Sequence, residues 1–134
     1  MKKLMRITMA QVDVTVGDLD GNRRKIVEGI GRAQRLHSDI VIFPELAVCG
    51  YPPEDLLFKR HFVENNIRSL DDIVKQTGDI IAIVGFAEPD KKGHLYNAAA
   101  VISKGRLYDT YHKIALPDYG VFDEKKVFYI WRPE

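Results

Sequence analysis

Met5 to Val12 (MRITMAQV) alternates apolar and polar side chains and is compatible with a strand, which Asp13, Gly17 and Asp18 interrupt. Asp20 is placed to cap a following helix, in which Ile26, Ile30, Ala33 and Leu36 recur at helical spacing until His37-Ser38. Its polar face, with Arg23, Arg24, Lys25 and Arg32, reads as a solvated surface. Ile40-Val41-Ile42-Phe43 is a short continuous apolar run of the kind found in strands covered on both faces, and Pro44-Glu45 stops it. After Gly50, Pro52 and Pro53, a short helix can begin at Glu54-Asp55, and Phe62, Ile67, Leu70 and Val74 predict a longer one that ends before Gly78. Ile80 to Phe86 is a further buried strand, and Asp90 to Gly93 forms a turn. Tyr96 to Ile102 pairs through the Lys104-Gly105 turn with Arg106-Leu107-Tyr108 as a hairpin. The order is βαβαβββ, and helices alternating with buried strands argue for a layered α/β sheet.

Composition removes several classes of function. The 134 residues, 46% hydrophobic and 29% charged, suit one folded domain over residues 1–134 and not a disordered chain. A net charge of +1, from 20 basic and 19 acidic residues spread along the sequence, offers no stripe for nucleic acid or anionic lipid. The one cysteine, Cys49, excludes an internal disulfide and fits a reducing compartment, so the expected location is cytoplasmic. The charged start, Met1-Lys2-Lys3, is not followed by the apolar stretch of a signal peptide, and no run approaches the roughly 20 apolar residues of a membrane span.

Strand ends and the loops beyond them are where α/β sheets usually hold polar side chains at an open edge. Glu45, where a buried strand stops, and Lys113, in the segment leaving the hairpin, both fit that description. Taken singly, a Glu there can cap or pair at the surface and a Lys in a loop can simply be solvated.

The words around them carry more. Phe43-Pro44-Glu45-Leu46 continues into Cys49-Gly50-Tyr51-Pro52-Pro53-Glu54-Asp55-Leu56-Leu57, and the second segment reads Tyr111-His112-Lys113-Ile114-Ala115-Leu116-Pro117-Asp118-Tyr119-Gly120-Val121-Phe122-Asp123-Glu124. Ala10-Gln11, Val84-Gly85-Phe86 and Tyr96-Asn97-Ala98-Ala99 occur in the matching order. From about Arg6 to Glu124 the chain strongly resembles the glutaminase domain of glutamine-dependent NAD synthetases, a branch of the nitrilase superfamily of carbon-nitrogen hydrolases. FPEL alone is a weak signal, whereas GYPPEDLL and KIALPDYGVFDE together are specific.

That resemblance implies a nitrilase-like αββα sandwich of two sheets, of which this chain supplies about half of the strands. It implies glutamine as substrate, Glu45 as general base and Lys113 as the cation facing the tetrahedral oxyanion. By the same resemblance Tyr119, Phe122 and Tyr51 shape the glutamine pocket, each with plain aromatic packing as the alternative, and Glu124 supports Lys113. The chemistry is coherent, since a thiol of pKa about 8.5 needs a neighbouring base and an ammonium at a developing oxyanion lowers the barrier.

The nucleophilic Cys of the family stands on a later strand of its own, so the resemblance implies a chain that stops before it and is inactive alone. Cys49, four residues after Glu45, is expected to be a small buried side chain instead. His37, His61, His94 and His112 are scattered without triad logic, and nothing has metal-ligand spacing. No Gly-rich phosphate loop is present, so no cofactor is expected in this chain, and ATP and Mg are implied only for the missing synthetase half. Half a sandwich leaves one sheet face and an edge uncovered, which predicts self-association, as a homo-oligomer, or poor solubility. Two other readings stand beside the synthetase fragment: another amidase or carbamoylase of the superfamily, and a non-catalytic interaction module that keeps the fold.

Overall fold

The computed structural model describes residues 4–119 and 122–132, with the backbone but not the side chain of Phe122. Three parallel strands and a hairpin form one sheet in the order β1 (Ile7–Met9), β2 (Ile40–Ile42), β3 (Ile81–Pro89), β4 (Leu95–Ser103) and β5 (Arg106–His112). Helices α1 (Leu19–Arg35) and α2 (Arg60–Gln76) provide the two crossovers, as parallel neighbours require. A 3-10 turn spans Glu54–Phe58, and beyond the sheet lie a two-residue ladder, β6 (Asp118–Tyr119) with β7 (Phe122–Asp123), and a 3-10 turn over Glu124–Lys126.

Both helices bury their apolar stripes on the same sheet face. Ile26, Ile30 and Ala33 of α1 and Leu70 and Ile73 of α2 pack against Val41, Ala82, Val84, Phe86, Ala100 and Ile102. Side chains alternate across a strand, so the intervening positions point to the other face, which no element covers among the described residues. Ile7 there is 51% exposed, Met9 77% and Ile42 37%. The apolar run at Ile40–Phe43 therefore has one covered face and not two; continuous hydrophobicity records that both faces meet apolar partners without saying that this stretch of chain supplies them.

Several boundaries differ from the sequence-based expectation for local reasons. Asp18, not Asp20, caps α1: its carboxylate accepts from the Gly21 N–H at 2.9 Å, the N3 bond that defines a cap. Asp20 pairs instead with Arg23 and Arg24 on the helix surface. Leu36 falls at the C-cap and is exposed. Strand β5 runs four residues past Tyr108, to His112, because an edge strand needs no apolar pattern to pair. Its ladder with β4 is shifted at Val101/Ile102, the mark of a bulge.

The feature that matters most for the site is a buried turn after β2. Leu46 takes a left-handed φ of 50°, and the chain folds across β3, where the Val48 N–H bonds the Gly85 carbonyl at 3.1 Å. Asn22 of α1 holds the turn from the far side, donating to the Val48 carbonyl at 3.1 Å while its own Oδ1 accepts from the Thr15 N–H. Only a hydrogen fits beneath this turn: a Cβ on Gly85 would lie 2.4 Å from the Leu46 nitrogen and 2.6 Å from the Pro44 oxygen. Both neighbours are backbone and cannot rotate away. Gly85→Ala is expected to destabilise the chain by about 1–3 kcal/mol, the usual cost of overpacking, as a lowered urea midpoint; an unchanged midpoint contradicts this close approach.

Candidate active site

Three segments converge at the end of the sheet where β2 stops. The buried turn presents Glu45, the residue after β5 presents Lys113, and the 3-10 turn following β7 presents Glu124. Lys113 continues the hairpin ladder by one bond, its N–H donating to the Asn97 carbonyl at 2.8 Å. Glu124 is fixed through its backbone, its N–H bonded to the Pro117 carbonyl at 3.0 Å and its own carbonyl to the Phe128 N–H at 2.8 Å.

The Lys113 ammonium lies 2.7 Å from Glu45 Oε1 and 3.1 Å from each oxygen of Glu124. Glu124 is only 6% exposed, and it also accepts the Tyr51 hydroxyl at 2.9 Å. Partial burial works against the Lys113 charge, but the hydrogen bonds to Glu45 and Glu124 outweigh it and hold the ammonium above its ordinary 10.5. Burial, then the bond to Glu124, pushes the Tyr51 phenol well above its ordinary 10.

The fourth member is Asn97 of β4, which donates to Glu45 Oε1 at 2.5 Å and reaches Glu124 Oε2 at 3.3 Å. In the sequence Asn97 stands out only as part of the Tyr-Asn-Ala-Ala word. The available signal was a lone amide in a strand otherwise built from small apolar residues, since a buried Asn needs partners.

The other expected pocket residues divide. Tyr51 is half-buried and bound to Glu124. Tyr119, in β6, is 70% exposed, and it lies near enough to Tyr51 to add to the upward pressure on that phenol. The side chain of Phe122 lies outside the described residues. Glu45 and Lys113 open onto the uncovered sheet face, in a shallow groove with Ile42, Ile83, Ala99 and Tyr111.

Cys49 is fully buried, in a cluster with Leu46, Leu57, Phe62 and Val63, and burial pushes its thiol up to about 12. His112 stacks on Tyr96 at 4.7 Å and bonds Glu88, so it does not join Lys113 in the cluster. Among the described residues no group of three His, Cys, Asp or Glu side chains could hold a metal ion, and no helix is long and apolar enough to cross a membrane.

One helix-covered sheet thus carries, at its end, a paired carboxylate and ammonium seated on a second, buried carboxylate. Residues 6–129 match the carbon-nitrogen hydrolase family model, and the chain belongs to that family. The match extends past Glu124, where the motif resemblance stops.

Within the family, the chain is homologous to the N-terminal region of glutamine-dependent NAD synthetases. It is 41% identical over 128 residues to the Thermotoga maritima glutamine-dependent NAD(+) synthetase, covering 94% of this chain and 22% of that protein. It superposes on the glutamine-dependent NAD+ synthetase of Acinetobacter baumannii with TM-score 0.91 and 34% identity, over 96% of this chain and 24% of that one. An amidase from Nesterenkonia sp. shares the fold at TM-score 0.80 and 22% identity, with 49% of its chain covered. The chain thus spans less than a quarter of the synthetases' length and about half of the nitrilase-like amidase fold.

The environment of Cys49 has a direct chemical consequence. A thiol moved from 9.0 to about 12 carries roughly a thousandth of the thiolate at pH 8. Iodoacetamide should therefore label the native chain at least ~100-fold more slowly than the chain unfolded in urea. Comparable rates contradict the burial of this residue.

Proposed function

We propose that these residues form the base-and-oxyanion part of a glutamine-hydrolysing site, in one partial glutaminase domain over residues 1–134 whose parent supplies ammonia for amidation of nicotinic acid adenine dinucleotide. The observation that carries this reading is the 2.7 Å contact between Glu45 and Lys113, seated on buried Glu124, in a chain homologous to glutamine-dependent NAD synthetases. Glu45 takes the proton from the attacking thiol and returns it to departing ammonia. Lys113, kept charged by two carboxylates, faces the oxygen that becomes negative in the tetrahedral intermediate. Glu124 supports Lys113, and Tyr51, Tyr119 and Phe122 shape the pocket for the rest of glutamine.

The thiol itself comes from outside these residues, because Cys49 is enclosed in the core and is the chain's one cysteine. The groove at Glu45 and Lys113 opens on the uncovered sheet face, which is the side from which a thiol-bearing strand would approach. By itself that apolar face drives copies of the chain to associate. ATP and Mg2+ belong to a synthetase half and not to this one, and the setting is cytoplasmic.

Ammonia release from glutamine separates the outcomes. The 134 residues alone should give only background, whereas a polypeptide that adds the thiol-bearing strand should be active, with Glu45→Gln or Lys113→Met lowering kcat at least ~100-fold. Release by the 134 residues alone that Glu45→Gln abolishes overturns the external thiol. A longer polypeptide that hydrolyses simple amides and leaves glutamine intact overturns the substrate.

A further inference from the structure

The bonds to the Glu45 carboxylate are unevenly divided between its two oxygens. Oε1 accepts both the Asn97 amide, at 2.5 Å, and the Lys113 ammonium, at 2.7 Å. Oε2 accepts no hydrogen bond from the described residues. Two donors on one oxygen anchor that oxygen and leave the second uncommitted.

Asn97 is built to hold that arrangement. It is buried in the middle of the site, and its amide nitrogen faces carboxylates from two separate segments, Glu45 at 2.5 Å and Glu124 at 3.3 Å. The orientation is chemically determined, because the opposite rotamer would point a carbonyl oxygen at two acceptors. Its backbone carbonyl also receives the Lys113 N–H, so one residue ties down the side chain of Glu45 and the main chain of Lys113. The small neighbours allow the close fit. Ala98 and Ala99 follow Asn97, and Gly85, opposite Ala99 in the ladder, lets the Glu45 turn settle onto the sheet.

We propose that Asn97 is a positioning residue: with Lys113 it pins Oε1 of Glu45, so that Oε2 is the atom that takes and returns the proton. This rests on Glu45 being the base. The proton leaves the thiol for Oε2 as the sulfur attacks the carboxamide carbon, and it passes from Oε2 to the nitrogen as the carbon–nitrogen bond breaks. With the Asn97 amide and the Lys113 ammonium both on Oε1, Oε2 is the oxygen whose lone pairs stay open to the proton. A carboxylate swinging on a single ammonium contact would present either oxygen at random, and misplacement of a reacting group by about 1 Å can cost ~100-fold in rate.

The test uses NMR of the 134-residue chain and needs no activity, so its outcome is separate from that of the glutaminase assay. In the wild-type chain the Asn97 side-chain amide should show one proton shifted downfield and protected from exchange with water. Glu45→Gln should abolish most of that shift, and Glu124→Gln should leave most of it. In Asn97→Ala, and in the isosteric Asn97→Asp, the Glu45 side chain should lose its single rotamer and show increased carbon-13 side-chain mobility. A role for Asn97 in packing alone would move none of these signals selectively. An Asn97 amide indifferent to Glu45→Gln, or a Glu45 side chain equally ordered in a folded Asn97 variant, overturns the proposal. Should both Asn97 variants fail to fold, the wild-type and Glu45→Gln amide spectra still decide it.

Discussion

An ammonium held between two carboxylates from distant parts of the chain organises this molecule's polar chemistry. Lys113 reaches back 68 residues to Glu45 and forward 11 to Glu124. The contact with Glu45 joins the turn after β2 to the end of the β4–β5 hairpin across β3, and the contact with Glu124 joins the same lysine to the 3-10 turn after β7. Burying a charge is costly unless it is paired and hydrogen-bonded, and here the buried carboxylate, Glu124, has Lys113 and Tyr51 as donors. The cluster therefore depends on correct assembly of the whole sheet end, and removing one member strands the others.

Backbone geometry sets where the main chain of Glu45 lies. The Pro44–Gly50 turn lies on β3 because Gly85 has no side chain to meet it, and Leu46 adopts a left-handed φ to complete the reversal. Such strain persists where the surroundings over-determine it. Four consecutive residues of this turn, Leu46 to Cys49, are fully buried, so the turn belongs to the core, and Glu45 at its rim inherits that rigidity.

The helical periods of α1 and α2, the buried run of β3 and the Lys104-Gly105 turn were legible in the sequence, since each rests on a local pattern. The coming together of Glu45 and Lys113 was legible only through the long words around them, because nothing in the period of a strand says which loop ends meet. Asn97 shows what such words leave out. It stands inside a recognised motif, yet its amide bonds two carboxylates 52 and 27 residues away. The resemblance to a two-sheet sandwich implied an uncovered sheet face, but the local pattern does not place it on β2: Ile42 is as apolar as a doubly buried residue, and its hydrophobicity does not reveal which stretch of chain covers it.

The charge state of Lys113 tests the organising interaction most directly. Titration of its Nζ by nitrogen-15 NMR should give a midpoint above the ordinary 10.5, and Glu45→Gln and Glu124→Gln should each lower it. Because the folded value is raised, the stabilisation from this pairing is fully present below 10.5 and is lost as pH rises through the higher folded midpoint. A midpoint at or below 10.5 that neither substitution moves contradicts a cation held by two carboxylates.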